Sequence, residues 1–153
     1  GIIALSLGLA SFLNASLVMR FGMRFLVNRA LRVVLVLAVV ACGFSIAWGG
    51  LPPLWFFMTY LMTTFFCIGI LFGNLNALAM SPLGHIAGIG AAVVGSLSTL
   101  IQMSLGTLIG QNYNGTVFPV IVGIGLLVGL AILVERWAEI KRQKLEMRSV
   151  EIA

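Results

Sequence analysis

MSPLGHIAGIGAAVVGS, residues 80–96, closes one long apolar segment and opens another. Pro82 disfavours helix at Ser81 and Gly84 loosens the chain after it, so the stretch predicts a helix–turn–helix reversal over 81–85. Beyond it Gly88, Ala92, Gly95, Thr99, Gln102, Gly106 and Gly110 recur every three or four residues, on one face of an otherwise apolar helix. In water such a stripe weakens a helix, by about 1 kcal/mol for each interior glycine relative to alanine. Inside a bilayer, small residues instead let neighbouring backbones approach closely. The stripe therefore marks Gly88, Gly95, Gly106 and Gly110 as helix-packing positions. It also predicts that Gly95→Leu does more damage than Gly123→Leu.

Composition carries the same message over the whole chain. Of the 153 residues, 61% are hydrophobic and 8% charged, against about 45–50% and 25% in soluble domains. That is the composition of an integral membrane protein, whose partner is the lipid bilayer. The net charge of +5 does not signal nucleic acid. The basic residues fall in two clusters beside apolar runs, Arg20 to Arg32 and Arg136 to Arg148, and no RNP, zinc-finger or DNA-reading pattern occurs.

The chain reads as all-α, a polytopic membrane helix bundle of five spans at about 1–19, 33–49, 54–76, 86–110 and 117–134. Residues 1–134 form the transmembrane bundle and 135–153 a mixed-charge cytoplasmic tail. Four arginines in 20–32 cannot sit mid-bilayer at about 2.5–3.5 kcal/mol each, so this segment is expected at the interface with Gly22 in a tight turn. With five spans, every Lys and Arg falls on one side, which the positive-inside rule makes cytoplasmic. The same parity puts Gly1 outside with no initiator Met, an expectation that the chain is a piece of a longer one.

Polar side chains concentrate in the first, third and fourth spans. In hydrocarbon such groups face a bundle interior or a water-filled cavity, so these spans are expected to line an interior and the second and fifth to face lipid. On the third span Tyr60, Thr64, Cys67, Leu71 and Asn74 share a face, and the fourth presents Thr99 and Gln102. With Ser11 from the first span, the candidate cavity residues are Ser11, Tyr60, Thr64, Asn74, Thr99 and Gln102. Interhelical hydrogen bonding without any ligand is the competing reading of each.

Enzyme chemistry finds no support, and neither catalytic nor metal-ligating residues nor a cofactor site are assigned. No Asp or Glu precedes Glu135, Cys42 and Cys67 stand singly, and the lone His85 sits at the turn without a nucleophile beside it. A phosphate-cradling loop is also lacking.

Two stretches carry a resemblance. NASLVMRFGMR, residues 14–24, is similar to the basic loop between the eighth and ninth helices of major facilitator superfamily transporters, with Arg20, Gly22 and Arg24 at its pattern positions. PLGHIAGIGAAVVGS, residues 82–96, resembles the turn from the tenth into the eleventh helix of the bicyclomycin-resistance type of drug/proton antiporter. The resemblance implies that the chain corresponds to helices 8–12 of a twelve-helix transporter working by alternating access. It further implies a bacterial inner membrane, a small-molecule substrate, and amino-terminal helices of the same transporter as the missing partner. The family pattern carries an acidic residue just before its first arginine, where Met19 stands here, and the proton-carrying carboxylate would have to lie upstream. A non-transporting scaffold subunit or an inactive fragment is the alternative.

Overall fold

One residue separates the first two helices. In the computed structural model, which describes residues 1–151, α1 (Ile2–Phe21) and α2 (Met23–Ala47) meet at Gly22. Gly22 adopts φ 81° and ψ 149°, a backbone state that residues with a Cβ disfavour. Its N–H donates to Val18 O at 2.8 Å, ending α1, and its carbonyl accepts from Leu26 N at 3.2 Å, beginning α2. The 20–32 segment is thus helical up to this joint, and Arg24, Arg29 and Arg32 ride on the opening turns of α2. Nothing between Met23 and Arg32 breaks a helix, and arginine stems are long enough to reach water from helical positions.

The chain continues through α3 (Leu54–Met80), a 3₁₀ segment (Ser81–Ile86), α4 (Ala87–Gln111) and α5 (Phe118–Glu151), and no strand occurs among the described residues. Four helical stretches are long and apolar enough to cross a membrane: Ala4–Phe21, Met23–Ala47, Leu54–Gln111 and Phe118–Leu145. The sequence predicts five. The difference arises at the 81–86 turn, which keeps a helical backbone and joins α3 to α4 in one stretch of 58 residues. Pro82 fits there because an opening turn does not need its N–H. The tail expected over 135–153 continues α5 as far as Glu151, with 152 and 153 outside the described residues.

The two ends of the molecule differ in chemistry. At the neutral end the 48–53 and 112–117 connections meet, with Val117 N–H donating to Gly50 O at 3.2 Å. Gly50 has φ 90°, and a Cβ on it would lie 3.0 Å from Thr116 Cγ2, so the junction requires glycine twice over. The Phe44 ring stacks on both Trp48 and Phe56, with centroids 4.3 and 3.9 Å away. At the opposite, charged end the opening of α2 faces the second half of α5. There Arg24 Nη1 lies 3.2 Å from Glu139 Oε2, and Asn28 Nδ2 donates to Glu135 Oε1 at 2.6 Å. Because Leu54 and Gln111 both adjoin the neutral-end connections, the α3–α4 stretch starts and finishes at the same end.

Small residues set the seams between helices. Gly69 and Gly73 on α3 receive Ala10 and Asn14 of α1; a Cβ on Gly69 would fall 2.8 Å from Ala10 Cβ. Pairing 10 with 69 and 14 with 73 makes α1 and α3 parallel neighbours. On α2 the buried positions Val27, Ala30, Leu31, Val34, Ala38, Ala41 and Ser45 recur at three and four, one face of a helix. They meet Cys67 and Leu71 of α3 and Val128 of α5 in one cluster, and Tyr60, Leu61 and Ile121 in another. The α2–α5 register is antiparallel throughout: Arg24 opposes Glu139, Asn28 opposes Glu135, and Ala38 Cβ stands 3.3 Å from where Gly125 would carry its own.

That arrangement corrects the expectation that α2 faces lipid. A third of its apolar window is buried, against 11% for the windows of α1 and α5. Lack of polar side chains does not distinguish a lipid-facing helix from a central one, since lipid tails are as apolar as leucine.

Candidate functional site

The α3 face read from the sequence is a real face. Tyr60, Thr64, Cys67, Leu71 and Asn74 are all buried, Thr64 completely and Asn74 at 1% exposure. What covers them is α1, α2 and α5 of the same chain. Asn74 Nδ2 donates to Asn14 Oδ1 across the α1–α3 seam at 2.7 Å and to Ile70 O of its own helix at 2.8 Å. Asn74 is therefore a structural tie between parallel helices. Asn14, the first residue of the 14–24 stretch, is its partner.

Tyr60 and Thr64 behave differently. Their hydroxyls, with that of Ser45 on α2, are buried without a hydrogen bond. Tyr60 and Thr64 stand one turn apart on α3, close enough to act on each other electrostatically but outside hydrogen-bonding geometry. Unsatisfied hydroxyls inside a membrane domain are costly, so the part of the α2–α3 seam nearer the neutral end holds polarity that packing alone does not use.

The other three candidates lie in the open. Ser11, Thr99 and Gln102 are exposed, so the six do not converge on one pocket within this chain. On α4, Val94, Ser98, Leu105 and Ile109 are the half-buried positions, and the only fully buried residue is Gly90, held against Leu83 and Met80. The stripe of Gly88, Ala92, Gly95, Thr99, Gln102, Gly106 and Gly110 is a separate face, and every member is exposed. A Cβ built on Gly88, Gly95, Gly106 or Gly110 meets nothing within 4 Å. The close packing expected of these four glycines is not supplied among the described residues. Gly123 is the tight position instead, since a Cβ there would stand 2.7 Å from Ile109 Cδ1. The expected ranking of Gly95 over Gly123 is thereby reversed for the packing of this chain.

Along that open face the hydroxyls are already used. Thr99 Oγ1 donates to Gly95 O at 2.9 Å and Ser104 Oγ to Leu100 O at 2.8 Å, both within α4. Gln102 makes no hydrogen bond among the described residues, which leaves a primary amide with two donors and an acceptor unspent in mid-helix. No three His, Cys, Asp or Glu side chains come together among the described residues.

In the basic segment, Arg20 lies over the Phe21 ring at 5.7 Å, Gly22 forms the helix joint, and Arg24 pairs with Glu139. Sequence reasoning missed Glu135 and Glu139 as partners of α2. The signal was present: Arg24 and Asn28 are four apart, Glu135 and Glu139 are four apart, and antiparallel helices bring two such pairs face to face. A cavity of about 550 Å³ lies here at the charged end, and none of the six candidate cavity residues lines it. No family model matches the chain, and neither a curated protein nor a solved structure matches it.

Proposed function

We propose that this chain is the carboxyl-terminal part of a secondary active transporter that exports drugs or other small molecules by alternating access, coupled to protons. The observation that carries the reading is the α4 face: small, exposed along its whole length, and holding the unspent amide of Gln102. In a bilayer such a face is stable only against a partner bundle or a water-filled cavity. A transporter with two bundles rocking about a central site supplies both in turn.

The topology fits that scheme once the 58-residue stretch is divided. A straight helix of that length would run for about 87 Å, against a hydrocarbon core of about 30 Å. The return of the stretch to its starting end supports a reading in which α3 and α4 cross separately, for five crossings in all. They correspond to helices 8–12 of the twelve-helix architecture, with the charged end cytoplasmic in a bacterial inner membrane. Thr99 and Gln102, with Ser11 of α1, form the standing lining. Tyr60 and Thr64 are reached when the seam around them opens, and the proton-carrying carboxylate is supplied by helices outside these 153 residues.

Cysteine labelling tests the proposal. In membranes bearing the protein, a membrane-impermeant maleimide should modify Gln102→Cys and spare Val39→Cys, and a transported substrate should slow the Gln102→Cys reaction. A reporter fused after Ala153 should read cytoplasmic. A scaffold subunit would bury the same α4 face permanently against its partner. Gln102→Cys that is inert in the assembled protein, in every condition, would replace the transporter reading with that one.

A further inference from the structure

The cavity at the charged end has a chemistry of its own. Its α2 wall carries Arg24, Arg29 and Arg32, its α5 wall Glu135 and Glu139, and Leu75 and Leu78 of α3 close the third side. Both glutamates are engaged, Glu139 by Arg24 and Glu135 by Asn28. Arg29 and Arg32 form no ion pair among the described residues, although they line the same space as the two carboxylates. Three arginines line the space against two glutamates, and Arg142 lies 3.9 Å from Glu139 as well, so the site is net positive.

Depth makes the two free guanidinium groups significant. α2 ends at Ala47, beside the exposed Trp48 and Trp55, aromatic residues of the kind that mark a membrane interface. About twenty residues cross the hydrocarbon core, so counting back from Ala47 sets its other edge near Asn28. Arg32 then lies four positions inside that edge, or about 6 Å at the helical rise. An arginine at this depth needs an anion or a route to the headgroups.

We infer that this cavity binds the phosphodiester of an anionic phospholipid from the leaflet at the charged end, with Arg29 and Arg32 holding the phosphate. The net positive charge suits an anionic group. Inorganic phosphate carries more than one negative charge at neutral pH, so Glu135 and Glu139 repel it more strongly than a singly charged phosphodiester. Leu75, Leu78 and Phe25 offer the apolar wall that an acyl chain follows. At about 550 Å³ the space admits a headgroup with its glycerol. Basic recesses between membrane helices recognise acidic headgroups through this combination of charge and apolar wall.

The test uses the protein in detergent micelles doped with dioleoyl phosphatidylglycerol or dioleoyl phosphatidylcholine, with retained lipid counted by native mass spectrometry. Phosphatidylglycerol should be retained in preference to phosphatidylcholine. Arg29→Gln with Arg32→Gln should lower that retention roughly 25-fold, about fivefold for each arginine near a headgroup. Lys144→Gln, at the same end but outside the cavity, should leave it unchanged. Leu75→Trp keeps every charge and fills the cavity, so it should also release the lipid, and it decides the matter if the double arginine variant does not stay monodisperse. Equal retention of the two lipids, loss with Lys144→Gln equal to that of the arginine variant, or retention undiminished in Leu75→Trp would overturn the assignment. Displacement of phosphatidylglycerol by excess inorganic phosphate would show a free-anion site and overturn the lipid.

Discussion

The α1–α3 seam and the outer face of α4 are built from the same kind of residue and have opposite fates. Gly69 and Gly73 stand four apart and are filled by Ala10 and Asn14, so closely that a Cβ on Gly69 would overlap Ala10 at 2.8 Å. Gly106 and Gly110 have the same spacing, and a Cβ on either would meet nothing within 4 Å among the described residues. Small-residue spacing therefore reports a surface that permits close approach, and a second surface must be present to use it. The comparison separates what this chain packs for itself from what it holds out to something else.

The largest effect should come from closing the filled seam. Gly69→Leu drives a branched side chain into Ala10 and Leu7, and overpacking of this type costs about 1–3 kcal/mol or more where backbone must shift. Gly95→Leu places the same side chain in open space. We expect Gly69→Leu to lose monodispersity in detergent and unfold at lower denaturant, while Gly95→Leu leaves both measurements unchanged. Equal damage to folding by the two would erase the distinction between the seam and the open face. Gly123→Leu should fall between them, because the atoms it meets belong to the Ile109 side chain, which can turn aside.

The same contrast shows what was legible in the chain. The α3 face was visible because Tyr60, Thr64, Cys67, Leu71 and Asn74 recur at the helical period, and all five are buried. The joint at Gly22 and the neutral-end connection at 49–53 were visible because glycine and proline restrict backbone in known ways. The central position of α2 was hidden. Its buried Val27, Leu31 and Val34 look like lipid-facing residues, and only the small side chains at 30, 38, 41 and 45 hint at close neighbours. The partners of Glu135 and Glu139 were legible only in part: the matched four-residue spacings are in the sequence, but pairing across more than a hundred residues depends on which helices are adjacent. For the candidate site, residue type located polar groups, but whether each faced a seam or a cavity depended on packing that no single helix encodes.

A middle-sized effect is expected at the polar tie within the filled seam. Asn74 Nδ2 reaches Asn14 Oδ1 at 2.7 Å in a membrane interior. Interhelical hydrogen bonds there are worth about 0.6 kcal/mol on average and up to about 1.7. A double-mutant cycle with Asn14→Leu and Asn74→Leu, read by unfolding in mixed micelles, should return a coupling in that range. Gln102→Leu should leave unfolding unaffected, since its amide makes no hydrogen bond among the described residues. A coupling of zero at Asn14–Asn74 would mean that the glycines alone hold α1 to α3.

The smallest effect belongs to the most conspicuous polar contact. Arg24 and Glu139 form an ion pair at 3.2 Å, yet their side chains are 55% and 43% exposed. Glu139 also lies 3.9 Å from Arg142 on its own helix, so it keeps a cationic neighbour when Arg24 is removed. Exposed pairs of this kind contribute about 0–1 kcal/mol, because solvent screens the attraction and two long side chains lose freedom. The cycle of Arg24→Gln and Glu139→Gln should therefore give a coupling below that of Asn14–Asn74, and it should shrink further as salt is raised. A large coupling that salt leaves unchanged would show that the charged end is drier than its exposure implies. The α2–α5 seam would then be locked from both ends, by Ala38 against Gly125 within the bundle and by a desolvated ion pair at its margin.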